Sequence, residues 1–338
     1  MSFDPALAGH RPIREKLLAR LEAGRLPGSL LFTGPDGIGK RRVVIELAKR
    51  ELCFRRCSCG ECEGCRAFET DPLPVDLPNF LRIAPEGKAG VIKIGVIRDH
   101  DLVEGGVISW AHQAPPPRCH RWILVEDAHR LNGASANILL KTLEEPPPGT
   151  HFVLVTHRPE AVLQTIRSRC ERIAFAPLAE ADAWAVALKA GWAEADRPRW
   201  TALSAGSLRL LDPADFSRAV EQLEAWLDLM EGGIFADCAG PLLPEKDAAL
   251  AQSEQLRQPL ELLLSLLADL ERIRGGSPSR ALPWAARLAP VAASALDPRT
   301  AQELTYLALR HLVRNPVAEP VLRELALVLR PVRRASGT

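Results

Sequence analysis

The sequence predicts an α/β domain built on a mostly parallel sheet, followed by an all-α region. Three observations predict this. An apolar strand pattern, GSLLFTGP (28–35), runs into a glycine loop and then into the helical pattern KRRVVIELAKRELC (40–53). Strand and helix patterns go on alternating as far as Phe175, the signature of a parallel sheet with crossover helices. Beyond Phe175 no convincing strand pattern appears, and APLAEADAWAVALKAG (176–191) opens an alanine-rich helical stretch.

Taken in order, MSFDPALAGHRPIREKLLARL (1–21) has the periodicity of an amphipathic helix and no secretory apolar segment. In residues 40–53, Val43, Val44, Leu47 and Leu52 recur at helical spacing. A cysteine cluster follows, then the proline-rich DPLPVDLPNF (71–80). RWILVEDA (121–128) is the second strand pattern. SANILLKTLEEPPP (135–148) is a helix stopped by three prolines, with Leu139, Leu140 and Leu143 on one face. HFVLVTH (151–157) is a third strand, AVLQTIRSRC (161–170) a short helix and ERIAF (171–175) a short strand. A small helical domain then runs to about residue 235, and EGGIFADCAGPLLPEK (231–246) carries the glycine and proline breaks of a linker. SEQLRQPLELLLSLLADLERIR (253–274) and TAQELTYLALRHLVRN (300–315) are long amphipathic helices. The division predicted is 1–175 for the α/β domain, with a cysteine-rich insertion at about 53–65, then 176–235 and 240–338 for two helical domains.

The length of 338 residues suits two or three domains, and a hydrophobic content of 47% supplies a sizeable core. With 43 basic against 42 acidic residues, the chain does not coat nucleic acid by bulk charge. No apolar run approaches the roughly 20 residues that span a bilayer. The cytosol is the expected location, with no membrane partner.

Five of the eight cysteines, Cys53, Cys57, Cys59, Cys62 and Cys65, fall within thirteen residues. In a cytosolic chain such clustering reads as metal binding rather than disulfides. CGECEGC (59–65) gives three thiols at C-x2-C-x2-C spacing, and structural zinc takes four ligands in a tetrahedron. One residue separates Cys57 from Cys59, which makes joint chelation with Cys62 and Cys65 awkward. Cys53 is therefore the fourth ligand chosen, with Cys57 as the spare. Four protein ligands leave no open position, so the zinc is structural. A set of free thiols is the plain alternative.

GPDGIGKR (34–41) is a phosphate-binding loop up to its last position. The glycines Gly34, Gly37 and Gly39 let backbone N–H groups curl around phosphate oxygens, and Lys40 reaches the terminal phosphates. A serine or threonine normally follows and holds magnesium; here Arg41 stands there, and a guanidinium has no lone pair to offer a metal. The second acidic site departs as well. An ATPase of this kind has aspartate first, for metal, and glutamate second, for water; this chain has Glu126 and then Asp127. A glycine turn and two solvated acids are the plain alternatives. Arg167 and Arg169 close the short helix in TIRSRC (165–170). A surface arginine accounts for each, unless one reaches a neighbouring active site.

In this order LLFTGPDGIGK, CGECEGCR, VEDAHRLNGASANILLKTLEEPPPGTHFVLVTHRPEAVLQTIRSRC and SAGSLRLL (204–211) resemble the delta-prime subunits of the bacterial DNA polymerase III clamp loader, a family of the AAA+ superfamily. ANILLKTLEEPP followed by SRC is the specific part, and the likeness covers residues 1 to about 211. The resemblance implies a RecA-like domain, a helical lid and a helical collar. It implies a place in a hetero-pentamer with the gamma/tau motor subunits and the delta subunit. That assembly opens a sliding clamp, touched only indirectly by this chain, and holds primer–template DNA. It further implies a stator: an accessory subunit of a DNA-directed DNA polymerase, without ATPase or polymerase activity of its own. On that pattern Arg169 is an arginine finger serving ATP on the adjacent motor subunit. Arg209 matches the lid arginine that senses phosphate, and Thr156 or His157 holds the first sensor position. Cys59, Cys62 and Cys65 match three zinc ligands; the stretch before them is shorter than the family's, so Cys53 stays open. The motor sibling differs by GKT or GKS in its loop and an intact Asp-Glu pair. Arg41 and the Glu126-Asp127 order therefore point to the stator, with the loop kept as scaffold or as a static ATP site. An ATP-hydrolysing gamma/tau-like motor and a purely structural assembly subunit are the rival readings.

Overall fold

Ser29–Thr33 (β1), Arg121–Val125 (β4) and Thr150–Thr156 (β5) are buried along their whole length, as strands are when both faces of a parallel sheet are covered. The computed structural model describes residues 7–55, 58–68, 76–77, 79–85, 90–92, 95, 97, 106–113, 120–244, 255–311 and 318–330. Cys57, the first six residues and the stretches 253–254 and 312–315 of the two long helical patterns lie outside the described residues.

Asp76–Leu77 (β2), Phe80–Ile83 (β3) and Glu171–Ala174 (β6) complete a sheet ordered β2-β3-β4-β5-β1-β6. Among the described residues only the β2–β3 pair is antiparallel. The period of two sorts side chains onto opposite faces. Leu30, Phe32, Trp122, Leu124, Val153 and Val155 share one core with Leu17 and Leu18 of Arg11–Glu22 (α1) and with Val43, Val44 and Leu47 of Lys40–Leu52 (α2). Leu31, Ile123, Val125, Phe152 and Leu154 face a second core. There they meet Val107 of Gly106–His112 (α4) and Leu139 and Leu143 of Gly133–Glu144 (α5). Glu63–Arg66 (α3) lies within the cysteine cluster. Asn132 caps α5, its side chain accepting from Ser135 N at 2.7 Å. Gln164–Arg167 (α6) leads into β6.

Two differences from the sequence reading stand out. Among the described residues the first helix begins at Arg11, because Gly9 and His10 before it take left-handed φ of 74° and 54° and break the helical path. Strands β2 and β3 were not expected. Both are short and set in the proline-rich stretch, and Arg82 interrupts the apolar run of β3.

A buried ion pair ties α1 to α2: Arg14 Nε and Nη2 donate to the two carboxylate oxygens of Glu46 at 2.7 and 2.5 Å. This fixes the helix that begins with Lys40.

The chain divides into two compact units, Met1–Val186 with Gly206–Leu208 and Ala187–Ala205 with Arg209–Thr338. The first boundary falls inside Glu180–Lys189 (α7). The second unit contains Arg197–Ser204 (α8), Pro213–Met230 (α9), Phe235–Cys238 (α10), Arg257–Arg274 (α11), Ala285–Ala292 (α12), Pro298–His311 (α13) and Ala318–Leu329 (α14). One core runs through it, with Trp226, Leu227, Leu263, Leu267, Leu288, Leu322 and Leu329 buried together. Among the described residues no strand follows Ala174, so the expected class, a RecA-like parallel sheet followed by helices, is the one adopted. No described helix is long and apolar enough to cross a membrane.

Trp226 is fully buried and its Nε1 donates to the carbonyl of Pro259 at 2.8 Å, joining α9 to the first turn of α11. Trp226→Phe is expected to cost about 1–3 kcal/mol, because the buried hydrogen bond is lost and the smaller ring leaves part of the indole's space unfilled. A lowered urea midpoint for the helical unit checks this.

Candidate nucleotide loop and cysteine cluster

Strand β1 ends at Thr33 and α2 starts at Lys40, so residues 34–39 must turn the chain. Gly34, Gly37 and Gly39 do so at φ of 141°, 70° and 92°, which other residues rarely adopt. At Gly34 the backbone also passes so close to the carbonyl of Phe175 that a Cβ would collide with it. Lys40 is 4% exposed. Its ammonium folds back on the loop, donating to the carbonyl of Gly34 at 2.7 Å and to that of Pro35. Burial lowers its pKa to about 8, although the carboxylates of Asp36 and Asp127 pull it up. The loop is also held from outside. Ser207 Oγ donates to the carbonyl of Asp36 at 2.9 Å, and Leu208 N donates to that of Gly37 at 2.8 Å. Arg209 opens the second segment of the second unit, in a short 3-10 turn, Arg209–Leu211.

Glu126 stands just past β4, where the metal-binding acid is expected. Arg82 of β3 grips it with both arms, Nε to Oε1 at 2.8 Å and Nη2 to Oε2 at 3.0 Å. Arg41 adds its guanidinium at 3.6 Å from Oε1. Two positive side chains thus neutralise the carboxylate that would need to meet a dication, and one of them occupies the hydroxyl ligand's place in the sequence.

Asp127 is bent into a left-handed conformation, φ 47°. Its carboxylate lies 3.4 Å from His157 Nδ1 and 3.8 Å from Arg130 Nε. Burial pushes its pKa up, but the hydrogen bond from His157 and the charge of Arg130 hold it below the ordinary carboxylate value. His129 is driven down to about 3 by burial and by the neighbouring His157, so its imidazole is neutral at physiological pH. It meets Thr156 Oγ1 at 3.0 Å. The second acid is therefore occupied by a local charge network.

Arg82 and His129 were not singled out from the sequence. A lone arginine inside the apolar FLRI run is the signal that could have marked Arg82.

Arg169 follows α6 at the surface of the first unit, with 30% of its side chain exposed. Its Nε donates to Glu144 Oε2 at 2.8 Å and its Nη1 to the carbonyl of Thr165 at 3.1 Å. Glu144 is the last residue of α5, within the LLKTLEEPP stretch. Arg167 is exposed.

Cys53, Cys59, Cys62 and Cys65 converge, with all four sulfurs within 4.8 Å of one another. Cys53–Cys59, Cys59–Cys65 and Cys53–Cys62 are separated by 3.7, 3.9 and 3.9 Å. Sulfurs about 2.3 Å from one zinc, arranged as a tetrahedron, stand about 3.8 Å apart, so the residues fit the ion. Backbone N–H groups of Cys62 and Glu61 hold the Cys59 thiol below its ordinary value, and such donors suit a thiolate. Cys53 ends α2 and Cys65 lies in α3. Gly64 lets these helices approach, since a Cβ there would strike the carbonyl of Leu52.

Comparison with known proteins bears on the first half of the chain. The delta-prime subunit of DNA polymerase III from Escherichia coli (strain K12) is 34% identical over 177 residues, 49% of this chain and 48% of that protein. The gamma/tau subunit of DNA polymerase III from Mycobacterium bovis is 32% identical over 173 residues, 50% of this chain and 28% of that protein. The matches thus span less than half the length of these relatives. A solved structure, a DNA polymerase III gamma subunit-related protein from Thermotoga maritima, shows a loose likeness. It has 16% identity and a TM-score of 0.44, over 94% of this chain and 98% of that one. Residues 9–179, half of the chain, match the family model described as DNA polymerase III, delta subunit. The loop, the LLKTLEEPP helix and the cysteine cluster all fall inside that matched stretch, and the chain belongs to this family.

Proposed function

We propose that this chain is the stator of a clamp loader, a subunit that supports ATP-driven loading of a sliding clamp without hydrolysing ATP itself. The observation that carries this reading is the clamping of Glu126 by Arg82 and Arg41. A site whose metal-binding acid is paired with two guanidinium groups, and whose hydroxyl ligand is missing, lacks the means to place magnesium on a triphosphate. The loop then serves as a scaffold or as a static nucleotide site.

In this reading the chain acts on ATP held by an adjacent gamma/tau motor subunit, through Arg169. The guanidinium leaves Glu144 and offers its planar fork to phosphate oxygens as charge builds on them. The remaining partners are a delta subunit in the same hetero-pentamer, the sliding clamp indirectly, and primer–template DNA in the assembled ring. We assign residues 1–175 to the RecA-like domain, 176–235 to the lid and 240–338 to the collar, with Arg209 as the lid arginine. Structural zinc on Cys53, Cys59, Cys62 and Cys65 completes the assignment.

The test is ATP turnover, by the chain alone and in the assembled complex, with wild type and Arg169→Ala. A second expectation concerns the loop. Any ATP it takes binds equally well with Mg2+ and with a chelator, measured by titration with a fluorescent ATP analogue. A tightening of about tenfold (about 1.4 kcal/mol) on adding Mg2+ would speak for a motor instead.

A further inference from the structure

Helix α2 has Lys40 at its first residue and Glu51 near its last. It therefore reaches from the nucleotide loop to the opposite end of the sheet, where β4 and β5 begin. There Glu51 meets His120, which immediately precedes β4, and His151, the second residue of β5. His120 Nδ1 is 2.6 Å from Glu51 Oε1 and 3.3 Å from His151 Nε2. One ligand atom from each of the three lies within 4.8 Å of the others.

The surroundings orient two of these groups. Trp122 Nε1 donates to Glu51 Oε2 at 2.9 Å, which holds the carboxylate and leaves Oε1 toward His120. His151 Nδ1 faces the carbonyl of Pro27 at 3.0 Å. A carbonyl only accepts, so Nδ1 carries the proton and Nε2 keeps its lone pair, directed at His120. An imidazole fixed by a backbone carbonyl and a carboxylate fixed by an indole N–H are the supports that metal ligands commonly have. The side chain of His120 is 36% exposed, so solvent reaches the cluster.

We propose that Glu51, His120 and His151 form a second divalent-metal site, separate from the cysteine cluster and suited to Zn2+. Two imidazoles and one carboxylate are a zinc donor set, and three protein ligands leave the fourth position to water. Two ligand atoms sharing a tetrahedral zinc stand about 3.3 Å apart, given bonds near 2.0 Å. The His120–Glu51 pair therefore opens on metal binding, a movement that the partly exposed His120 can make. Bound there, the ion would clip the far end of α2 to the starts of β4 and β5.

Full-length protein stripped of metal should take up two equivalents of Co2+ or Zn2+, counted by native mass spectrometry. With Co2+, one equivalent shows the thiolate charge-transfer band of the cysteine cluster, and the other shows only the weaker bands of nitrogen and oxygen ligation. His120→Gln and Glu51→Gln are each expected to lose the second equivalent and to keep the thiolate band, with an unchanged circular dichroism spectrum. Glu51→Gln preserves an oxygen acceptor for Trp122, so the variant retains that support. Wild type that binds only the thiolate-ligated ion overturns the proposal, and so do two equivalents retained by both variants.

Discussion

Arg169→Ala is expected to leave the isolated chain unchanged and to slow hydrolysis at the adjacent motor subunit about 1,000-fold. Arginines supplied in trans contribute about 1,000- to 100,000-fold to phosphoryl transfer. The lower end applies because Arg169 is held by Glu144 at 2.8 Å and must exchange that partner for phosphate. The assay is single-turnover hydrolysis in the complex with motor subunits, delta subunit, clamp and primed DNA. Arg169→Lys keeps the charge but loses the fork, so it should recover only a small part of the rate. Glu144→Gln separates a finger from a structural ion pair. If Arg169 matters only as the partner of Glu144, both substitutions slow the reaction alike; if it is a finger, freeing it leaves the rate intact or raises it. Wild-type turnover with Arg169→Ala would make the chain a purely structural assembly subunit. Turnover by the isolated chain would make it a motor.

The second large effect is on stability. Removing zinc from the cysteine cluster should destabilise the first unit by about 4 kcal/mol or more, since structural zinc binds with an apparent free energy of about 10–16 kcal/mol in small domains. For a unit of this size, about 4 kcal/mol corresponds to a fall of about 8–16 °C in melting temperature. The reason is geometric. The four sulfurs join the end of α2 to α3 at separations of 3.7–3.9 Å, and without an ion four thiols must share that space on weak contacts. Cys53→Ser should lower the melt about as far as chelation, and the two treatments should not add, because both remove one site. Calorimetry with and without chelator is the measurement. Superimposable melts, and protein purified without zinc, would remove the cluster from the list of structural elements.

What could be read from the sequence was local in the chain. The glycine loop, the helix ending in prolines and the cysteine cluster each lie within a short segment, and their chemistry needs few residues from elsewhere. Cys53 illustrates the limit. The sequence leaves two candidates for the fourth ligand, and the structure brings Cys53 within 3.7 Å of Cys59 by ending α2 there. What escaped was assembled across the sheet. Arg82 reaches Glu126 only because β3 pairs with β4 in a register that sets Ile83 opposite Val125. A four-residue strand beside prolines gives no periodicity from which to infer that pairing. Glu51, His120 and His151 come from three separate segments, so no spacing rule joins them. The exposed ERIA pattern of β6 could still be read, because a short helix closely precedes it and the helical pattern of α7 soon follows.

The grip of Arg82 and Arg41 on Glu126 also has a consequence for descent. Changing Arg41 to threonine would restore the hydroxyl yet leave Arg82 on both carboxylate oxygens. Exchanging the order of the two acids takes a change at each position, and releasing Arg82 takes another. Each single step gives up an ion pair in the present fold and gains no turnover in return. Selection for hydrolysis therefore has no graded path through this site.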